Sequence, residues 1–144
     1  MAVTGTGRDV PEEMRDQVEA TLRRVADRLR TMSVARLRTS VTAGPDVAPG
    51  QTVADRARYT GQMLADLAAG IEQRDAPVRL PSRRVPVSAD IAAGDQVEVT
   101  GQDLLSAAAE LSPSTSVWVG SQRVTLHEVL VEAERVLDAL RRAL

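Results

Sequence analysis

The stretch TLHEVLVEAERVLDALRRAL, residues 125–144, decides the fold class of this chain. Its apolar residues recur at three- and four-residue steps and line one face, which is the pattern of an amphipathic α-helix. Thr125 and Glu128 form a capping box at its start, and Arg141 and Arg142 suit the negative end of the helix dipole. The sequence therefore predicts a helix from about residue 126 to residue 144.

The same reasoning predicts two more long helices. One covers residues 9–32 and begins with an Asp9–Glu12 capping box, and the other covers residues 52–74 and begins with Thr52 and Asp55. Each carries a single apolar stripe at helical spacing. A short helix over about residues 34–41 is expected between them.

The segment around residues 95–111 is open to two interpretations. DQVEV at its start alternates like a strand, and its β-branched residues and Gly101 are poor helix formers. Yet Val97, Leu104 and Leu111 repeat at seven-residue intervals, so a helix over about 95–111 is favoured. Its certain part is residues 102–111.

The remaining segments are predicted connections. Prolines and glycines interrupt residues 43–51, and three prolines make residues 76–94 loop or extended chain. VWVGSQRVT, residues 117–125, is typical of a small hairpin or extended turn, and Trp118 is expected to close one end of the core. Residues 1–144 are therefore predicted to form one all-α domain, a four-helix bundle with a short extended or hairpin segment before the last helix.

Composition excludes several classes of function. The chain has no cysteine and one histidine, which leaves no thiolate nucleophile and no histidine-based metal cluster, so no metal is expected. All 18 basic residues are arginine, as a GC-rich genome would produce, and the net charge of −2 is unlike that of a DNA-binding protein. The sequence has no membrane-length apolar run and no leader pattern, which predicts a cytoplasmic protein that binds neither nucleic acid nor membrane.

The one histidine, His127, is predicted to lie on the outer face of the last helix as an ordinary surface residue. The carboxylates on the predicted helices, among them Asp66, Glu132 and Glu134, lie off the apolar stripes and are expected on solvated faces. No serine has a nucleophile-elbow context, so no catalytic residue is assigned.

RLPSRR, residues 79–84, is the concentrated positive patch of the chain. Arg79, Arg83 and Arg84 could hold an anionic ligand or an acidic partner through bidentate contacts, or they could be a solvated loop. Together with Tyr59 and Asp55, these arginines are the candidate ligand-binding residues.

Two segments resemble a known family. PGQTVADRARYTGQ, residues 49–62, and RVTLHEVLVEAERVLDAL, residues 123–140, are similar to segments of DinB-like proteins, including the mycothiol-dependent maleylpyruvate isomerase group. The resemblance implies the DinB-like four-helix fold. It places Tyr59 where the family has its first metal-binding histidine, and the final helix has none of the family's other two. It therefore implies a relative in which the metal site is lost. No cofactor is expected.

Two hypotheses about function follow. The first is a non-enzymatic binding or interaction protein, for which the expected partner is a second copy of the chain or another protein. The alternative is a thiol-dependent, mycothiol-type transferase or isomerase that acts without a metal through Tyr59, Asp55 and the arginines of residues 79–84. A polar cavity beside Tyr59 would favour the enzyme, and an exposed apolar patch would favour the partner.

Overall fold

A computed structural model describes the backbone of residues 3–41, 50–81 and 83–144, and the side chains from Glu12 onward within those ranges. The described residues are mostly helical, with one small antiparallel sheet. The elements in chain order are α1 (Val3–Thr31), α2 (Val34–Leu37), α3 (Val53–Glu72), a 3₁₀ helix (Asp90–Ala92), α4 (Ala93–Ala108), β1 (Ser116–Val119), β2 (Gln122–Thr125) and α5 (Leu126–Ala143).

The four long helices share one apolar core. α1 packs against α4 and α5, and α3 packs against the same two helices. The stripes predicted from the sequence supply the buried side chains. The largest that are fully buried are Leu22, Leu29, Leu37, Leu64, Ile71, Leu104, Leu126, Leu130, Leu137 and Leu140.

Residues 95–101 are helical, which resolves the ambiguous segment in favour of the helix. Gly101 leaves room for Leu22, because a Cβ there would lie 2.5 Å from both of its terminal methyl carbons and the Leu22 side chain would have to shift. The glycine that weakens helix propensity thus allows α1 and α4 to pack closely. The helix ends at Ala108, three residues earlier than predicted, because the backbone leaves the helical region at Ala109 (ψ 139°) and Glu110 then adopts a left-handed φ of 64°.

The predicted start of α1 is wrong by six residues, because the helix begins at Val3 and Asp9 is not its N-cap. The side chains of residues 3–11 lie outside the described part of the structure, and so does most of the predicted break at residues 43–51.

Both other predicted capping boxes are confirmed. In α3, Asp55 N–H donates to Thr52 Oγ1 at 3.1 Å and Thr52 N–H donates to Asp55 Oδ2 at 3.1 Å. In α5, the matching pair joins Thr125 and Glu128 at 3.1 and 3.2 Å. These bonds satisfy donors that a bare helix start would leave unpaired.

The predicted hairpin is present, and it packs on α3. Gly70 faces the hairpin backbone so closely that a Cβ there would overlap the Trp118 carbonyl oxygen and lie 3.0 Å from its carbonyl carbon. Val117 is fully buried in the core, whereas Trp118 is only half-buried. The expectation that Trp118 closes the core is therefore wrong, because strand alternation points Val117 inward instead.

The α3–α4 connection, residues 73–81 and 83–89 of the described chain, contains no helix or strand. This agrees with the loop predicted from residue 76 onward, but residues 90–94, also predicted as loop, are helical. The first part of the connection is held by the hairpin, because Trp118 Nε1 donates to Ala76 O at 3.3 Å and Arg123 Nη1 donates to Arg74 O at 2.6 Å. Its last part is held by Gln96, whose Nε2 donates to Pro86 O at 2.6 Å. The connection therefore lies along the outside of α3 and α4.

An ion-pair cluster fixes the end of the connection. Arg58 donates to Asp90 and to Ser88 O, and Arg38 Nε donates to Asp90 Oδ2 at 3.2 Å. The hydrogen bonds from Arg58 and Arg38 lower the pKa of Asp90 below its ordinary value. Among the described residues, no helix is long and apolar enough to cross a membrane.

Candidate functional site

A pocket opens between the solvent-facing side of α3 and the α3–α4 connection. It is lined by Tyr59, Gln62, Asp66, Arg79 and Arg84, and its volume is about 520 Å³. The three α3 residues are spaced by three and four positions, so they lie on one face of the helix. The connection brings the two arginines back over that face.

Gln62 determines the shape of the pocket. Its Nε2 donates to Asp66 Oδ1 at 2.9 Å and to Arg83 O at 3.2 Å, while its Oε1 accepts from Val85 N at 2.7 Å. One amide therefore pairs with the backbone of the connection on both its donor and acceptor sides. This bonding fixes the backbone of residues 83–85 relative to α3.

Arg79 is held inward at the edge of the pocket. Its Nη2 donates to Asp66 O at 2.9 Å and its Nη1 donates to Gly120 O at 3.4 Å. Both acceptors are backbone oxygens, one in α3 and the other in the hairpin turn. The Arg79 guanidinium is thus fixed in position, with Asp66 as the acidic side chain that lines the same pocket.

Arg84 is exposed at the mouth of the pocket, and it makes no hydrogen bond or ion pair to any residue in the described part of the chain. Among the other described arginines, most donate to a carboxylate or a backbone carbonyl, as Arg30 does to Asp95 and Arg135 to Glu132. Arg84 therefore has no described partner for its N–H donors, and it lines the same pocket as Arg79, whose position is fixed. An arginine in this state is suited to bind a carboxylate or phosphate group.

The structure divides the five candidate binding residues into three groups. Tyr59, Arg79 and Arg84 line the same pocket. Arg83 lines the adjoining groove of about 390 Å³ with Leu80 and Asp103 among others. Asp55 lies one turn before Tyr59, where it serves the α3 capping box and pairs with Arg58 Nη1 at 3.1 Å.

Sequence reasoning missed Gln62 and Arg56. Arg56 is only 8% exposed, and its guanidinium carbon lies 5.3 Å from the centre of the Tyr59 ring. This cation–π contact fixes the ring that forms one side of the pocket. An arginine three residues before the aromatic on the same helix was the available signal.

His127 is half-buried, and the polar contact it makes in the described structure comes from its backbone. Its N–H donates to Pro113 O at 2.9 Å, while Leu126 N–H donates to Thr115 O at 2.9 Å. Within the described ranges, no group of three or more histidine, cysteine, aspartate or glutamate residues could hold a metal ion. His127 therefore has no ligand set around it there.

Glu134 departs from the predicted solvated face, because it lies half-buried between α5 and α1 and accepts from Thr21 Oγ1 at 2.9 Å. Burial raises the pKa of its carboxyl, and this effect outweighs the hydrogen bond from Thr21. Glu132, two residues earlier, has its pKa lowered by hydrogen bonds from Arg135.

These opposite shifts predict opposite responses to amide substitution. A carboxyl whose pKa is higher in the folded state than in the unfolded state stabilises the fold most when it is protonated. Its contribution to the free energy of unfolding therefore declines as pH rises from the unfolded-state pKa through the folded-state pKa. Glu134→Gln should therefore raise the free energy of unfolding at neutral pH and have little effect in acid. Glu132→Gln should lower it at neutral pH, and that loss should vanish as pH falls through the lowered pKa.

Urea unfolding of both variants between acidic and neutral pH measures these effects. A Glu134→Gln variant that is less stable than the parent at neutral pH would contradict the assignment of a destabilising buried charge.

Comparisons of the chain with protein-family models, with curated proteins and with solved structures found no match.

Proposed function

We propose that this chain is a non-enzymatic binding protein, and that the pocket beside Tyr59 takes a small carboxylate that also carries a hydrogen-bond donor. The observation that carries the proposal is the exposed guanidinium of Arg84, which has no hydrogen-bond or ion-pair partner among the described residues and lines a pocket together with Asp66 and the anchored Arg79. A guanidinium beside a carboxylate suits a ligand with both an anionic and a donor group.

Each lining residue has a role in this proposal. Arg84 pairs with the carboxylate of the ligand, and Asp66 accepts from its hydroxyl or ammonium group. Gln62 and Arg79 act by holding Asp66 and the connection in place, as their bonds to the α3 backbone and to residues 83–85 support. Tyr59 offers its ring as an apolar side of the pocket. Preorganised polar groups of this kind reduce the entropy lost on binding.

Three four-carbon dicarboxylates test the proposal, because they differ in a single group. Succinate carries no donor, malate adds a hydroxyl, and aspartate adds an ammonium. We expect isothermal titration at millimolar ligand to detect aspartate and malate binding more strongly than succinate. Arg84→Gln should weaken binding about tenfold or more, since hydrogen bonds to charged groups contribute roughly 1.5–3 kcal/mol.

Arg24→Gln is the matched control, because Arg24 is also exposed and makes no hydrogen bond or ion pair within the described residues. Asp66→Asn should remove the preference for aspartate over succinate. The proposal is wrong if no ligand of the three binds, or if the Arg24 and Arg84 variants bind equally well.

A metal-free, thiol-dependent transferase or isomerase is the second candidate, and the size and polarity of the same pocket favour it. The chain has no cysteine, so the nucleophile would have to be a bound thiol cofactor of the mycothiol type. Thiol-dependent turnover separates the two candidates, with Tyr59→Phe as the test variant. An enzyme that uses the phenol should show turnover in the parent and lose it in the variant, whereas a binding protein should show none in either; dicarboxylate affinity should be unchanged in both cases.

We also propose that the chain is a four-helix bundle and a distant, metal-free relative of the DinB-like proteins. The order of elements supports this, because a hairpin precedes a final capped helix and the α3 segment opens with Thr52 and Asp55. Tyr59 then lies where that family places a metal-binding histidine.

A further inference from the structure

The exposed large apolar side chains of the described residues are concentrated in one part of the chain. Five of them fall between residues 78 and 99, and the others are Val34, Tyr59 and Val131. The five are Val78 at 70% exposure, Leu80 at 66%, Val87 at 88%, Ile91 at 67% and Val99 at 59%. Such a concentration on the surface marks an interaction site more often than scattered single residues do.

This part of the chain forms a continuous surface, because the α3–α4 connection lies beside α4. Pro86 and Val99 line one groove of about 320 Å³. Leu80, Pro81 and Asp103 line the next, of about 390 Å³. Val99 and Asp103 are four residues apart, so they lie on one side of α4. We call the connection together with this side of α4 the outer face.

The outer face carries both signs of charge. Arg83 and Asp103 line the same groove, yet they do not form an ion pair with each other. Neither side chain has a hydrogen-bond or ion-pair partner within the described part of the chain, and both are exposed. The positive charge of Arg83 lies on the connection and the negative charge of Asp103 on α4, with Leu80 and Pro81 lining the groove beside them. Glu72 of α3 adds a second carboxylate at another part of the same groove.

This charge pattern is complementary to itself. A two-fold axis between Arg83 and Asp103 would place Arg83 of each copy opposite Asp103 of the other, with the apolar residues of both copies around the axis. Two-fold dimers use one surface on both subunits, which requires this kind of self-complementarity. A uniformly acidic partner or an anionic membrane would instead meet the carboxylate of Asp103.

We propose that the outer face binds a second copy of this chain across a two-fold axis, with Arg83 of one copy paired with Asp103 of the other and Leu80 near the centre. A standard interface buries roughly 800 Å² per partner, which is a modest part of the 8477 Å² surface of the chain. The proposal is independent of the pocket beside Tyr59, because Arg83 does not line that pocket.

Sedimentation velocity of the whole chain across a range of concentrations tests this interface. The parent should shift from monomer to dimer as concentration rises. Leu80→Glu should raise the dissociation constant about tenfold or more, because it would bury an unpaired carboxylate among apolar side chains near the centre of the interface. Val131→Glu is the matched control, since Val131 is an exposed apolar residue of α5, outside this face, and should leave the dimer intact.

Charge reversal makes the test specific to the pairing. Arg83→Asp alone and Asp103→Arg alone should each weaken the dimer, because like charges then face each other. An equimolar mixture of the two variants should form a heterodimer, and the double variant should recover self-association. A monomeric parent at the highest concentration would overturn the proposal. It would equally be overturned if the mixture fails to associate, or if Val131→Glu disrupts the dimer as much as Leu80→Glu.

Discussion

Gly70→Ala should lower the free energy of unfolding by about 2 kcal/mol or more, although alanine is the better helix former by about 1 kcal/mol. The new methyl carbon would overlap the Trp118 carbonyl oxygen. Both sides of this contact are backbone, so no side chain can rotate away. The hairpin or α3 must move instead, and the core around Val117 would open.

Gly61→Ala in the same helix is the matched control. A Cβ at Gly61 would lie 3.6 Å from Thr100 Oγ1, which is an ordinary contact. This variant should be as stable as the parent or more stable by up to about 1 kcal/mol. Urea unfolding of both variants measures the difference. Equal stability of the two would mean that the hairpin does not pack on Gly70 as described.

Leu137→Ala should lower the free energy of unfolding by about 2–5 kcal/mol, because it removes a fully buried side chain from the core and leaves a cavity. Val131→Ala on the same helix removes an exposed side chain and should change stability by less than about 0.5 kcal/mol. Both substitutions introduce alanine into α5. The difference between their free energies of unfolding in urea therefore measures the effect of burial. If Leu137→Ala lost as little stability as Val131→Ala, this would contradict the placement of Leu137 in the core.

Much of the fold could be predicted because its determinants are local in sequence. The Thr125–Glu128 and Thr52–Asp55 capping boxes lie within four residues and satisfy backbone donors wherever the helix later packs. The apolar stripe of α5 likewise identifies its buried face before any partner is known. The stretch VWVGSQRVT, residues 117–125, is likewise local, and it predicted a small hairpin or extended turn where the structure has β1 and β2.

The interactions that sequence reasoning missed join residues far apart in the chain. Arg15 in α1 donates to Ala108 O at 2.5 Å and Leu111 O at 2.9 Å, and so caps the C-terminal end of α4. Nothing near Arg15 in the sequence indicates this role. The tight fit of Gly70 against Trp118 and of Gly101 against Leu22 also requires two distant segments to be placed first.

The candidate site was predictable only in part for the same reason. The arginines of residues 79–84 were proposed from local charge, and Tyr59 from its position in the segment that resembles the DinB-like family. The structure brings Tyr59, Arg79 and Arg84 together, but it assigns Asp55 to a helix cap and Arg83 to the adjoining groove. The role of Gln62 depends on the path of residues 83–85 across α3, and no local pattern specifies that path.

The start of α5 and the segment before it form one cooperative unit. Thr125 N–H is bound by Glu128, and the next two amides, of Leu126 and His127, donate to Thr115 O and Pro113 O. Glu128 N–H is bound by Thr125 Oγ1, so each of these first four donors has a partner within residues 113–128. Residues 113–115, which lead into the hairpin, therefore cannot separate from the start of α5 without leaving helix donors unpaired. Amide hydrogens on both sides of Thr125 should exchange with solvent at a common rate, in a single opening event rather than by progressive fraying from the helix end.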